Sequence, residues 1–320
     1  MESGTELFGG IEAGGTKFVC GVADADGTML QQVRIPTTSP EETLQAAADF
    51  FTDATRDRPL AALSIGSFGP LSLKREASDF GHITNTPKPG WSDVDLVGYF
   101  RRFGVPIAID TDVNAAAVGE RLFGNGRGLD TFCYVTIGTG VGVGMIVGGS
   151  PHGGANHPEA GHILVPGAPG DDDFRGICPF HGNCLEGVAS GPAIRARWGV
   201  DGAELPDAHQ AWTVEADYIA SLCVNLTYIM RPDRIILGGG VMQRPHLYDL
   251  VREALAQKLA GYDASVQRLD FETYIAPPGA GPSAGLWGAT ATSYRLITGE
   301  WPSGWSANDT DAGNPRRTAL

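Results

Sequence analysis

Apolar residues crowd 7–12 and 17–23 (LFGGIE and KFVCGVA), which predicts two strands joined at the Gly14–Gly15 turn. A helix over about 41–56 and a strand over 61–69 (AALSIGSFG) follow. The stretch 82–91, HITNTPKPGW, is rich in Pro and Gly and reads as a loop. VPIAID at 105–110 is a short buried strand, and 113–123 predicts a helix that Gly124 ends. A second strand–glycine–strand unit, FCYVTIGTGVGVGMIV, begins at Phe132. Ile219, Leu222, Cys223, Leu226, Ile229 and Met230 recur at the helical period over 215–230. RIILGGG (234–240) is a strand running into a glycine turn, and helices are expected over about 245–259 and 284–297. By contrast, 151–190 has few periodic elements and many His, Cys, Pro and Gly. A segment that long inside a compact domain needs a staple or a function. Residues 302–320 are polar and turn-rich and are expected to form a flexible tail.

Setting GIEAGGTKFVCGV beside YVTIGTGVGVGMI places Gly14 against Gly138. Internal duplication and two unrelated hairpins both account for that likeness. The 320 residues fit two domains at ~150 residues each. A hydrophobic content of 42% is enough to build their cores. The net charge of −14 argues against nucleic acid, whose phosphates call for a basic surface, and against attachment to an anionic membrane. A nucleotide stays compatible, because backbone N–H groups and Mg²⁺ supply a local positive field. The amino terminus has no basic segment followed by an apolar one, and no run approaches the ~18 apolar residues of a membrane span, so a cytoplasmic protein is expected. Of the five cysteines, Cys20, Cys133 and Cys223 sit in apolar segments and read as reduced core residues.

A phosphate on a turn needs close backbone approach and N–H donors, and glycine provides both. Gly14-Gly15-Thr16-Lys17 and Gly138-Thr139-Gly140-Val141-Gly142 meet that need, with hydroxyls from Thr16 and Thr139. Either loop alone is equally a hairpin that binds nothing. The apolar VGVGMIV that follows the second loop is β-like, which excludes a dinucleotide fingerprint opening a helix. Neither loop has the GxxxxGK run of a P-loop. Between the loops lie Asp110, Asp112 and Asn114, where a buried strand gives way to a helix. Ligands of open α/β sheets gather at such strand ends. Asp110 is expected to cap the helix, and for Asp112 capping and catalysis both stay open. Glu12, ending the first strand, is placed either to hold a water of Mg²⁺ or to be a hydrogen-bonded structural carboxylate.

Cys178-Pro-Phe-His181-Gly-Asn-Cys184 offers three ligands at x2 spacings, with His162 upstream as a fourth. Tetrahedral zinc takes such sets in closed structural sites. His152, His157 and Cys223 have no comparable spacing and read as bystanders.

These residues together resemble the ROK family of sugar kinases and repressors, within the actin/hexokinase-like superfamily. GGIEAGGTKF, DTDVNAAAVGE, TIGTGVGVG, PEAGH, CPFHGNCLEG and ILGGGVM carry the resemblance, which spans nearly all of 7–298. GSFGP (66–70), ITNTPKPGW (83–91) and the C-x2-H-x2-C loop are similar to the bacterial zinc-containing fructokinase branch. Family members usually carry Asp where this chain has Glu12 and a more cysteine-rich loop. Many glucokinases and amino-sugar kinases carry a sugar-contacting Asn where this chain has Thr111, so the departure points away from those sugars.

The resemblance implies an α/β fold of two actin-like (ribonuclease H-like) domains with an interdomain active-site cleft that closes on the sugar. Residues 1–118 would form the small domain, completed by a carboxy-terminal helix at about 291–300, and 119–290 the large one with its zinc-binding loop at 159–190. Asp112 would deprotonate a sugar hydroxyl, and Glu159, His162 and Glu186 would contact the sugar. Gly14, Gly15, Thr16 and Lys17, with Thr139, Gly140 and Gly142, would hold the phosphates of ATP, with Mg²⁺ beside Glu12. Gly238, Gly239, Gly240, Val241 and Met242 would lie near adenosine, with Pro192 touching nucleotide. His162, Cys178, His181 and Cys184 would bind structural Zn²⁺. Without the resemblance, Glu159 and Glu186 read as solvated loop carboxylates. The expected reaction is ATP-dependent conversion of D-fructose to D-fructose 6-phosphate by a homodimer; a glucokinase or mannokinase is the alternative. A repressor is not expected, because the first glycine loop begins at once and the charge is acidic. A non-catalytic sugar sensor would not need Asp112, Glu12 and both loops.

Overall fold

A computed structural model describes residues 6–306. Ten strands run in chain order: β1 Leu7–Ala13, β2 Lys17–Asp24, β3 Met29–Pro36, β4 Leu60–Ser67, β5 Ile107–Thr111, β6 Phe132–Ile137, β7 Val141–Val147, β8 Ser150–Pro151, β9 Arg234–Gly238 and β10 Ile275–Ala276. The α-helices are α1 Pro40–Ala54, α2 Leu96–Phe100, α3 Asp112–Phe123, α4 Leu185–Ala189, α5 Gly191–Trp198, α6 Ala211–Met230, α7 Pro245–Leu259, α8 Phe271–Tyr274 and α9 Ala284–Thr298.

The chain forms two units. The first holds the described residues up to Arg127, the short segment Gly153–His157 and those from Gly279 on; the second holds Gly128–His152 and Pro158–Pro278. In the first, the sheet order is β3-β2-β1-β4-β5, with β1–β2 and β2–β3 antiparallel and β1–β4 and β4–β5 parallel. In the second the order is β8-β7-β6-β9-β10, with β6–β7 and β7–β8 antiparallel and β6–β9 and β9–β10 parallel. Each sheet therefore follows the same path from its glycine hairpin. Unrelated hairpins would share the turn and no more, so the matching order favours duplication.

In the first unit, Ile11, Phe18, Phe51, Leu63, Ile65 and Trp91 are buried between sheet and helices. Helix α1 starts where Ser39 accepts from Glu42 N–H, with Pro40 in its first turn, and buries Leu44, Ala47, Ala48 and Phe51. Helices α3 and α9 meet backbone to backbone: a Cβ on Gly119 would strike Ala284 O, and one on Gly288 would strike Ala115 O. That packing keeps the whole of α3 and the whole of α9 in the first unit. The division consequently falls after Arg127 rather than at 118, and α9 joins from Ala284 rather than from about 291. In the second unit, Val135, Leu185, Trp212, Ile219, Leu237 and Leu255 lie in one core.

Part of the expected tail is anchored. Trp305 is buried against Tyr294, and its indole N–H donates to Ala25 O at 3.0 Å, so the large ring anchors the chain there. Residues 307–320 of that expected tail lie outside the described residues.

Candidate active site

In the first unit, β1 and β2 meet in a tight turn in which Gly14 N–H donates to Lys17 O at 2.9 Å. Thr37 braces it, donating from Oγ1 to Gly14 O at 2.7 Å and from N–H to Thr16 O at 2.9 Å. Gly15, Thr16 and Lys17 are exposed, and no atom lies within 4 Å of where a Cβ on Gly15 would sit, so another group can approach the backbone closely.

Asp112 is the first residue of α3, at the carboxyl end of β5 beside its parallel neighbour β4. The helix cap is neither aspartate. Thr111, in extended conformation, accepts from Asn114 N–H through Oγ1 at 3.2 Å. Asp110 instead accepts from Thr111 N–H and from Asn114 Nδ2, both at 2.7 Å, so the expected capping role passes to the residue between the two. Burial raises Asp110 above the ordinary carboxylate range against those two hydrogen bonds. The Thr111 hydroxyl is buried and committed to the cap. Asp112 Oδ1 takes Val113 N–H at 2.8 Å, and the positive end of α3 favours negative charge there.

Glu12, next to last in β1, is half-buried, with Gly285 behind its carboxyl, where a Cβ would sit 2.6 Å from Cδ. Burial, followed by the negative charge of Asp112, raises it to about 7, against the pull of Lys17, the Leu286 N–H and Arg34.

In the second unit, Gly138 N–H donates to Gly140 O at 2.9 Å and closes the β6–β7 turn, while Gly191 N–H donates to Gly138 O at 2.7 Å. A cavity of about 990 Å³ opens here, lined by Gly138, Thr139, Pro192, Gly240 and Val241 among the expected residues. Gly140, Gly142, Gly238, Gly239 and Met242 are not in its lining. Gly238 faces Pro278 and Tyr134, Gly239 takes φ +93° against Ile137, and Met242 is buried. The sequence reading missed the side chains across the cavity. Arg244 lies over the Trp212 ring at 4.5 Å, pairs with Asp207 and donates to Gly202 O at 2.7 Å.

Glu186, in the first turn of α4, accepts from Val141 N–H at 3.0 Å and faces His162 Nε2 at 3.9 Å. A Cβ on Gly140 would come 2.6 Å from Glu186 Oε2, so a larger residue there would displace that carboxylate. Glu159 is exposed, and its carbonyl accepts from His162 N–H at 3.0 Å.

His162, Cys178, His181 and Cys184 bring one ligand atom each to within 4.8 Å of one another. Cys178 and Gly182 exchange backbone hydrogen bonds around the loop, and Leu185 N–H donates to Ile163 O, which draws His162 alongside Cys184. Ligands of one tetrahedral zinc ion stand roughly 3.5–3.8 Å apart. His162 Nδ1 is 3.4 Å from Cys184 Sγ and 3.9 Å from Cys178 Sγ, and Cys178 Sγ is 3.7 Å from His181 Nδ1. The donor set and its spacing fit that ion. Burial pushes the Cys184 thiol up to about 11, a cost that a bound cation reverses. Cys20, Cys133 and Cys223 are buried and form no disulfide.

Residues 8–294 match the ROK family. The chain is 44% identical to the fructokinase of Pediococcus pentosaceus, covering 91% of this chain and 99% of that one. It is likewise 44% identical to the fructokinase of Zymomonas mobilis, covering 91% and 97%. The crystal structure of a ROK family glucokinase from Streptomyces griseus, in complex with glucose and AMPPNP, superposes with a TM-score of 0.71 at 26% identity, covering 90% of this chain and 99% of that one.

Proposed function

The chain belongs to the ROK family, and we propose that it uses ATP to phosphorylate D-fructose at the 6-hydroxyl. It is a hexose kinase with the actin-like sugar kinase fold. One observation carries the reading: the Asp112 carboxylate heads α3 at the end of a parallel strand pair, in a chain 44% identical to fructokinases over nearly its whole length.

Asp112 takes the proton of the 6-hydroxyl as that oxygen bonds to the γ-phosphorus. The bond from the γ-phosphorus to the oxygen bridging to the β-phosphate breaks, and ADP leaves. The transition state is loose, so an ordinary carboxylate serves as base and orienter. The Gly14–Lys17 and Gly138–Gly142 turns hold phosphate oxygens, and the cavity beside Pro192, Gly240 and Val241 takes adenosine. Glu159, His162 and Glu186 contact the hexose. Mg²⁺, when bound, neutralises phosphate charge, and Glu12 is placed to hold one of its waters. His162, Cys178, His181 and Cys184 would hold Zn²⁺, which would supply rigidity to the loop as a structural staple. An ATP-consuming enzyme with buried, unpaired cysteines suits the cytoplasm, and a homodimer is the assembly we assign to it. No helix among the described residues is long and apolar enough to cross a membrane.

ADP release measured with fructose, glucose, mannose and N-acetylated sugars tests the acceptor. The highest kcat/KM is expected on fructose. A higher value on glucose overturns that acceptor, and ADP release unaffected by any sugar overturns the kinase.

A further inference from the structure

Gly153–His157 packs within the first unit although its chain neighbours on both sides belong to the second. Two of its side chains grip one residue. Asn156 Nδ2 donates to Leu71 O at 2.8 Å, and Leu71 N–H donates to His157 Nε2 at 2.9 Å. A ring nitrogen that accepts carries no proton, so the hydrogen bond assigns the imidazole its tautomer. Leu71 itself is fully buried.

The gripped backbone has a particular address. It continues β4 past its carboxyl end, where Gly66 and Ser67 pair with Asp110 and Thr111. A Cβ on Gly66 would lie 3.6 Å from Asp112 Cα, and one on Gly69 would lie 3.6 Å from His157 Cε1. The His157 ring therefore rests on Gly69, just past the end of β4 and beside the end of β5 that leads into Asp112. Ligands of parallel sheets sit outside such ends. Fixing the wall there fixes the position of a bound hydroxyl relative to the base, and small misplacements at a reacting centre are costly.

We propose that Asn156 and His157 clasp Leu71 so as to hold the 69–71 backbone as a wall of the hexose subsite beside Asp112. His157 is then a positioning residue, acting through Leu71 and Gly69. The inference rests on the hexose kinase reading and adds to it a determinant of acceptor binding.

The test compares KM for hexose, KM for ATP, kcat and Tm in the wild type, His157→Leu, His157→Gln and Asn156→Ala. The acceptor is the sugar that the wild type turns over fastest. His157→Leu removes the acceptor nitrogen and is expected to raise the hexose KM about tenfold, the scale of one hydrogen bond. Its ATP KM stays near wild type, and its Tm falls only by what one unpaired buried N–H costs. His157→Gln restores a carbonyl acceptor and recovers most of the loss, and Asn156→Ala gives a smaller rise in the same direction. A wild-type hexose KM in folded His157→Leu overturns the clasp. So does a joint rise of both KM values with a falling Tm, which is what a purely structural role produces. Should His157→Leu not fold, Asn156→Ala decides by the same criteria. A wild type that phosphorylates no sugar refutes the kinase and the clasp with it, whereas an active wild type with indifferent variants refutes the clasp alone.

Discussion

The carboxyl of Glu12 lies against Gly285, with Asp112 as a like charge nearby, and burial with that charge lifts it from 4.5 to about 7. The folded protein thus holds this proton more tightly than the unfolded chain does. The resulting stabilisation is fully present below about 4.5 and is lost as pH rises through about 7, above which folding must bury an ionised carboxylate. At 1.36 kcal/mol per pH unit, the span from 4.5 to about 7 corresponds to about 3 kcal/mol at most. Glu12→Gln carries no titrating proton and keeps an acceptor for the Leu286 N–H. The variant is expected to match the wild type near pH 5 and to exceed its stability by up to about 3 kcal/mol at pH 8.5. That corresponds to several degrees of Tm, at roughly 2–4 °C per kcal/mol for a chain of this order. Turnover is expected to move the other way if Glu12 has the role proposed for it at a metal-bound water, an exchange of function for stability. Thermal melts of both proteins across pH 5–8.5 provide the assay. A Tm difference that does not change with pH refutes the reasoning. A variant less stable at pH 8.5 does so as well, because Glu12 would then be an ionised carboxylate held by Lys17, Arg34 and the amino terminus of α9.

Metal analysis of protein purified without chelator is expected to find about one zinc per chain, retained by the wild type and lost from Cys184→Ala; a stable, active, metal-free preparation counts against the staple. Glu120, fully buried, accepts the N–H groups of Asn125, Gly279 and Ala280 at 2.8–3.0 Å. Glu120→Ala leaves those three donors unpaired and is expected to cost about 3–5 kcal/mol, read as a large fall in Tm; a loss below about 1 kcal/mol would mean that water replaces the carboxylate.

The inner strands were legible as short apolar runs, as in β1 and β6, and the long helices by their period, as in α7, whose start at Pro245 and end at Leu259 fall where expected. Strand β3 was not, because Gln31, Gln32 and Arg34 leave it little apolar alternation and β2 supplies its pairing. Helix α5 hid behind Pro192, which reads as a breaker but sits in the first turn under the Ser190 cap. The glycine turns and the candidate metal ligands announce themselves by composition and spacing. Thr111 as the cap, Arg244 over Trp212 and the grip of His157 on Leu71 depend on tertiary placement. His157 and Leu71 are 86 residues apart, and no local pattern links them. A histidine without ligand spacing thus read as a bystander until the fold gave it a partner.

We propose that Asp112 acts as the base in phosphoryl transfer from ATP to fructose. The most direct measurement incubates wild type and Asp112→Asn with MgATP and fructose, identifies the phosphorylated carbon by NMR and follows nucleotide binding separately. Fructose 6-phosphate is expected from the wild type, and a fall in kcat of roughly 10²–10⁴ for Asp112→Asn, with nucleotide binding unchanged. Near-normal kcat in Asp112→Asn, or a product phosphorylated at another carbon, would contradict it.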